Sequence, residues 1–137
     1  GNANGVRIYN TDIQGNTTTV TQMKVRKVSN FTPSTPNAVF LNNTSYDARN
    51  KQLYVDASYS GGCLDHTFQL EWDGSAHKTN PPQYDLRLVD TSQLDSCREL
   101  ITTQLRFDTA TQDESFESPG VMALRAPNGG KTLLVDI

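Results

Sequence analysis

Alternation of apolar and polar residues with a period of two is the strongest signal in this chain, and it is clearest in residues 66–73. Even positions there carry His, Phe, Leu and Trp, and odd positions carry Thr, Gln, Glu and Asp. Successive side chains of a strand point to opposite faces, so this pattern predicts a strand with one face in a core and one in water. The same alternation recurs in residues 51–59, 83–90 and 99–108. No window of about 11 residues shows a sustained helical period.

Weaker strand candidates complete the chain, and they are residues 6–10, 17–28, 38–41, 121–126 and 132–137. The apolar parity of 17–28 breaks midway, which indicates a bulge or a strand that changes partners. Asn128-Gly129-Gly130 predicts a hairpin between the last two strands. Residues 42–50 are rich in turn formers, and the capping-box spacing of Ser96 and Glu99 allows one helical turn near 91–97.

These patterns predict one all-β domain over residues 1–137, with residues 1–5 flexible. Short strands separated by turn clusters are typical of an antiparallel β-sandwich, here of about 7–9 strands, and a barrel is the second choice. At most one short helical turn is expected. The net charge of −3 includes no basic stripe, so we expect no nucleic-acid partner. No apolar run is long enough to span a bilayer.

Two cysteines, Cys63 and Cys97, are the only possible pair in the chain. A structural disulfide is expected, and in the chain-entropy model closing a loop of this length contributes about 3.8 kcal/mol. With strand 83–90 between them, flat neighbouring strands would hold the cysteines about 9.6 Å apart, too far for a bridge. The predicted disulfide therefore either crosses between two sheets or pins a loop folded over the sheet end.

Cysteine usage also predicts the compartment. A single cysteine pair in a chain rich in Thr and Asn is typical of an exported protein in the periplasm or on the cell surface. The chain opens without an initiator Met or an apolar leader, so we expect a mature or trimmed form from which a signal segment has been removed. A lipid anchor upstream of Gly1 is left open.

A metal or redox site is the rival interpretation of the cysteines. Cys63 and His66 have the Cys-x-x-His spacing of ligands, and Cys97 with Asp65 or Asp95 could complete a tetrahedral set. In an extended strand, however, positions 63 and 66 point to opposite faces, and only a turn between them would bring them together. We therefore expect a disulfide, no metal ligand and no cofactor. His66 is expected to be a buried, hydrogen-bonded residue.

The sequence contains no recognisable catalytic motif. Only His66 and His77 could serve as bases, and no Gly-x-Ser-x-Gly nucleophile elbow occurs. We expect no catalytic residues. Loops 73–82 and 109–119 are predicted to face a partner, because loops on a rigid β scaffold often carry binding.

Residues 61–72, with the sequence Gly-Gly-Cys-Leu-Asp-His-Thr-Phe-Gln-Leu-Glu-Trp, resemble a Gly-Gly-Cys-x-x-His-x-Phe-x-Leu signature of uncharacterised exported proteins and lipoproteins of bacteria. The similarity extends over about residues 55–137. It implies a bacterial envelope setting and an exported β-sandwich, with Cys63 and Cys97 as the matching cysteines. His66 and its neighbour Asp65 are the candidate binding residues.

Together these observations favour a non-enzymatic, exported module of the bacterial cell envelope that has a binding or structural role. Its partner is expected to be an envelope protein or a small ligand. One alternative is the metal or redox site around Cys63, His66 and Cys97, and another is a secreted enzyme inhibitor that uses a disulfide-pinned loop.

Overall fold

Nine β-strands and no helix make up the part of the chain that the computed structural model describes, which is residues 6–11, 17–110 and 116–137. Side-chain surroundings are described from residue 23 onward. The predicted flexible residues 1–5 lie outside the described residues. The strands are β1 (Val6–Thr11), β2 (Thr17–Lys27), β3 (Val39–Asp47), β4 (Gln52–Gly61), β5 (Phe68–Trp72), β6 (Gln83–Asp90), β7 (Glu99–Asp108), β8 (Val121–Ala126) and β9 (Gly129–Asp136).

The strands form one mixed sheet in the order β3-β4-β7-β2-β5-β6-β8-β9, with β1 paired to β2. The all-β prediction is confirmed. The expectation of antiparallel pairing throughout is wrong, because β2 runs parallel to both β5 and β7, and β6 runs parallel to β8. Alternation within a strand fixes which face is buried, but it carries no information on the direction of the neighbouring strand.

The sheet curls nearly into a barrel. Its end strands β3 and β9 contact each other, and the backbone N–H of Val39 donates to Asn128 Oδ1 at the β8–β9 turn, at 3.3 Å. This shape is closer to the barrel alternative than to the expected sandwich. Near-closure leaves few unpaired strand edges, which protects a β protein from edge-to-edge association.

Strand β2 changes partners along its length. Residues 22–24 pair with β7, and residues 25–27 pair with β5. The predicted partner change in this strand is therefore confirmed.

The predicted inward residues of the four strongest strands fill the core. The fully buried or nearly buried ones are Leu53, Val55, Ala57, Phe68, Leu70, Trp72, Tyr84, Leu86, Leu88, Leu105 and Phe107. Ile101, expected on the inward face of β7, is only half-buried. The hairpin expected at residues 128–130 forms between β8 and β9, with Gly129 and Gly130 both at φ 89°.

Segment 28–38 buries side chains that the sequence placed in water. Glu71, on the outer face of β5, is only 2 % exposed. It accepts hydrogen bonds from the N–H and Oγ1 of Thr32, at 2.9 and 2.8 Å. Next to it, Phe31 covers the guanidinium of Arg87. A connection that crosses the outside of the sheet thus overrides the simple in-and-out pattern.

One local prediction, the turn at 42–50, is wrong, and the helical turn that the sequence allowed at 91–97 does not form. Much of the turn expected at 42–50 belongs to β3, which continues to Asp47 past a bulge between Leu41 and Asn43. Asn42 is the extra residue of this bulge, so the strand continues while its inward and outward alternation shifts by one position. Residues 91–97 contain no helical turn and form an irregular loop.

Candidate functional site

The Cys63–Cys97 disulfide links the ends of two neighbouring strands. Gly61, the last residue of β4, lies opposite Glu99, the first residue of β7, and each cysteine follows or precedes its strand by two residues. The two Cα atoms are 5.6 Å apart. The predicted disulfide is confirmed, but the expected intervening strand is not present, because β4 and β7 pair directly.

Next to the disulfide, His66 lies between two carboxylates. Its Nδ1 is 2.5 Å from Asp90 Oδ2, and its Nε2 is 2.8 Å from Asp95 Oδ2. All three side chains are fully buried. The prediction of a buried, hydrogen-bonded His66 is confirmed. We use the name disulfide end for the region formed by residues 59–66 and 90–100.

Asp95 makes hydrogen bonds to several segments of this region. Its Oδ2 also accepts the backbone N–H groups of Leu64 and Cys63, at 3.0 and 3.3 Å, and its Oδ1 accepts that of Cys97, at 2.9 Å. Its own N–H donates to Asn37 Oδ1, at 2.9 Å. One carboxylate therefore ties the loop after β4, the loop before β7 and the end of segment 28–38 to one another.

Charge pairing, together with backbone N–H donors to Asp95, explains why this arrangement tolerates burial. Burial of the imidazole lowers the pKa of His66, but the hydrogen bonds to Asp90 and Asp95 and their negative charges outweigh it, so the pKa is raised above its ordinary value. The hydrogen bond from His66, aided by backbone N–H groups, lowers the pKa of Asp95 to about 2 against the opposing effect of burial. The ring is therefore an imidazolium held between two carboxylates.

Tyr59 and Gly61 lie beside the His66 imidazole. The Tyr59 ring lies 4.4 Å from the His66 ring, centroid to centroid. Burial, followed by the charges of Asp90, Asp65 and Asp95, raises the pKa of Tyr59. A Cβ atom at position 61 would lie 2.8 Å from His66 Nε2, so only glycine allows the imidazole to reach Asp95 here.

Chemically, the network is arranged to hold the fold together. Both ring nitrogens of His66 face carboxylates, so in this state neither is available as a base or a metal ligand. Of the predicted binding residues, His66 is at the centre of the network, whereas Asp65 is exposed and acts on it only through its charge on Tyr59. Asp90 and Asn37 were missed, since nothing in an isolated sequence shows which loops meet.

The sulfur atoms lie beside the same carboxylate. One donor atom each of Cys63, Asp95 and Cys97 lie within 4.8 Å of one another. Both sulfurs are joined in the disulfide, so this group offers no thiolate in the oxidised protein. Of the two aspartates considered from the sequence as possible partners of the cysteines, the geometry selects Asp95.

The same region exposes three leucines. Leu64, Leu94 and Leu100 are 47, 66 and 66 % exposed. Leu64 follows Cys63 and donates its N–H to Asp95, and Leu94 immediately precedes Asp95 in the chain. Leu100 lies at the start of β7, opposite Ser60. The fold therefore holds large apolar side chains in water around a rigid, cross-linked anchor.

The two loops predicted to face a partner differ from each other. Loop 73–82 is largely exposed, and its His77 Nε2 lies 2.6 Å from Asp85 Oδ2. Burial raises the pKa of Asp85, but hydrogen bonds from His77 and Gln83 outweigh it, and the net pKa is lowered. In loop 109–119, residues 111–115 lie outside the described residues, and Phe116 is buried against Trp72 and Tyr84.

No helix in the described part of the chain is long and apolar enough to cross a membrane. Comparison of the sequence with known protein families, and with curated proteins and solved structures, finds no match.

Proposed function

We propose that this chain is a non-enzymatic, exported module of the bacterial cell envelope, and that its disulfide end docks on an apolar surface of an envelope protein. The observation that carries the proposal is the exposure of Leu64, Leu94 and Leu100 around the cross-linked loops. The loops that carry Leu64 and Leu94 meet at Asp95, and large exposed apolar side chains at one end of a folded protein are characteristic of interaction sites.

The loops that carry these leucines are held in place, which also supports docking. Leu64 and Leu94 are each fixed through Asp95, whose carboxylate and N–H are all engaged. The disulfide adds a covalent link between the same loops. A backbone that is already ordered loses little conformational entropy on binding, so apolar side chains on fixed loops bind more tightly than the same side chains on mobile loops.

The export part of the proposal is supported by the disulfide, because such bonds persist in oxidising compartments and are rare in the cytosol. The bacterial setting is supported by the resemblance of residues 61–72 to signatures of exported proteins. Fractionation of the source cells, followed by detection with an antibody to this chain, tests both. Recovery in the cytoplasmic fraction with free thiols would contradict the proposal.

Docking is tested with a triple variant, L64S/L94S/L100S, and a control at another exposed leucine, L134S. Leu134 is 64 % exposed and lies on β9, where it pairs with Ala123 of β8 rather than with β4 or β7. An envelope protein recovered with the wild-type chain is identified, purified and titrated against all three proteins. We expect the triple variant to bind at least about 30-fold more weakly, and the control to bind like the wild type.

Equal affinities of the triple variant and the wild type for the purified partner would exclude the leucines as the docking surface. Turnover of a substrate by the purified chain would contradict the non-enzymatic part. Inhibition of an enzyme by the disulfide-pinned loop stays a prediction, and a panel of secreted proteases tests it.

A further inference from the structure

The disulfide end brings together four residues of types that bind zinc. Donor atoms of Cys63, Asp95 and Cys97 lie within 4.8 Å of one another, and His66 Nε2 lies 2.8 Å from Asp95 Oδ2. A tetrahedral zinc ion with bonds of about 2.0–2.3 Å holds its ligand atoms roughly 3.3–3.8 Å apart. Asp95 therefore links the His66 imidazole to the two sulfurs. Once the sulfurs are free, they and the imidazole can move toward each other around this carboxylate and surround one ion.

We propose that reduction of the Cys63–Cys97 disulfide converts the disulfide end into a zinc site, with Cys63, Cys97 and His66 as ligands and Asp95 as the fourth. This inference goes beyond the proposed docking function, and it does not depend on it.

The redox step has a simple balance. A dithiol reductant supplies two electrons and two protons, the Cys63–Cys97 sulfur–sulfur bond breaks into two thiols, and the reductant becomes a disulfide. Zinc then displaces the two thiol protons, which leave to solvent, and two zinc–thiolate bonds form. Thiolate and imidazole donors favour zinc over calcium or magnesium.

His66 is already oriented for this role. Asp90 holds its Nδ1, which leaves Nε2 as the nitrogen directed toward Asp95 and the cysteine loops. A carboxylate on the far nitrogen is the usual support of a zinc-bound histidine. On zinc binding the Nε2 proton leaves, and the metal takes the place that this proton occupies between His66 and Asp95.

The backbone from Gly61 to Leu64 brings Cys63 and His66 toward each other and leaves space beside the His66 ring. The bend at residues 62–64 brings the Cys63 N–H and His66 Nε2 to the same oxygen of Asp95. This bend removes the parity objection that the Cys-x-x-His spacing raises in an extended strand. Gly61 has no side chain, and a Cβ there would lie 2.8 Å from His66 Nε2 and 3.1 Å from Asp95 Oδ2.

The test compares zinc affinity in the oxidised and reduced states of the full chain. Reduction uses a phosphine that binds zinc weakly, and affinity is measured in competition with a chromophoric chelator. We expect one zinc ion per reduced chain with Kd below about 1 µM, and binding at least about 100-fold weaker by the oxidised protein. Cobalt substitution should give the intense visible absorption of a tetrahedral thiolate site only after reduction.

Three variants locate the site. C63S/C97S removes both thiolates, H66N removes the imidazole, and H77N is the matched control at an exposed histidine. We expect the first to bind zinc as weakly as the oxidised wild type, the second to lose at least about tenfold in affinity, and the control to match the reduced wild type.

Failure of the reduced protein to bind one zinc ion, or equal binding by C63S/C97S, would overturn the proposal. Far-UV circular dichroism excludes binding by an unfolded chain. If the reduced chain loses its strand signal and zinc does not restore it, any zinc affinity belongs to unfolded cysteines, and the proposal is also overturned.

Discussion

The disulfide end and the aromatic end of the molecule lie at opposite ends of β5 and β6, and they are closed by different chemistry. At the aromatic end, Phe116 packs against Trp72 and Tyr84, with ring centroids 4.7 and 4.9 Å away. At the disulfide end, His66 is buried between two carboxylates beside a covalent link. Packing depends little on solution conditions, whereas ion pairs and disulfides respond to pH and to reductants.

The polar atoms of the buried Trp72 and Tyr84 side chains are hydrogen-bonded. Trp72 Nε1 donates to the Ser75 carbonyl, at 2.8 Å, and Tyr84 Oη accepts from the Glu117 N–H, at 2.9 Å. Both of these buried polar atoms have a neutral partner, and the Lys27 ammonium lies over the Trp72 ring, 5.9 Å from its centroid. We therefore expect the two ends to fail under different treatments.

The largest loss should come from Phe116→Ala at the aromatic end. Phe116 is 7 % exposed and fills the space between two other rings, so its truncation leaves a cavity. We expect the free energy of unfolding to fall by about 4 kcal/mol in urea denaturation, with no change in pH dependence. Phe40→Ala, at a residue 49 % exposed, is the control, with an expected loss under about 1 kcal/mol. A small loss from Phe116→Ala would mean that the ring does not close this end.

The disulfide ranks next. C63A/C97A should lower the free energy of unfolding by about 3.8 kcal/mol, because the unfolded chain gains the entropy of an open loop. Urea denaturation of the variant in a metal-free buffer, compared with the oxidised wild type, measures this loss. Reduced wild type under the same conditions is the control and should resemble the variant. An unchanged midpoint in both would show that the bridge does not constrain the unfolded state.

His66→Gln should cost about 3 kcal/mol at pH 6, since it leaves two buried carboxylates without their cation. The folded-state pKa of His66 is raised, so its stabilisation is complete below the unfolded value of 6.5 and is lost as pH rises through the folded pKa. Denaturation curves of the oxidised wild type should show falling stability above about pH 6.5, and those of the variant should be flat there. Parallel pH profiles would contradict the buried ion pair.

At low pH, the pH dependence of stability that Asp95 causes has the opposite sign to that of His66. The pKa of Asp95 is about 2 in the folded protein and 3.8 in its ordinary state, so its stabilisation is present above 3.8 and is lost as pH falls toward 2. The same denaturation series, extended to low pH, should therefore give a stability plateau between the two titrations.

The smallest effect is expected at His77, in loop 73–82. Its side chain is 57 % exposed, and that of Asp85 is 30 % exposed. Exposed ion pairs are screened by water and salt, so His77→Ala should change the free energy of unfolding by less than about 1 kcal/mol, and less still at high salt. Urea denaturation at two ionic strengths measures this. A loss comparable to that of His66→Gln would contradict the contrast between buried and exposed histidines.

Local sequence pattern was sufficient for the strands and for much of the core. Alternation placed β6 at residues 83–90 and β7 at 99–108, and both bounds match the structure. It failed for Glu71, which the pattern places in water. Segment 28–38 crosses the outer face of the sheet and covers Glu71. No residue of β5 indicates which distant segment will cover that strand.

The residues of the candidate site also divide into those that the sequence identified and those that it could not. Sequence identified Cys63, Cys97 and His66, because cysteines pair and a histidine on an apolar face is buried. It could not identify Asp90 as the partner of His66, because Asp90 ends a strand 24 positions away. The expectation that strand 83–90 lies between the two cysteines was wrong, because the pairing of β4 with β7 is a long-range choice that local sequence does not show.

The sequence by itself therefore determined the all-β class, most strand positions and the cysteine pair, because each follows from side-chain period or from residue chemistry. Only the tertiary structure decided the parallel pairs, the near-closure of the sheet and the burial of an imidazolium between two carboxylates. Those features depend on which distant segments meet, and the free energy that selects them comes from burial and charge pairing across the whole chain.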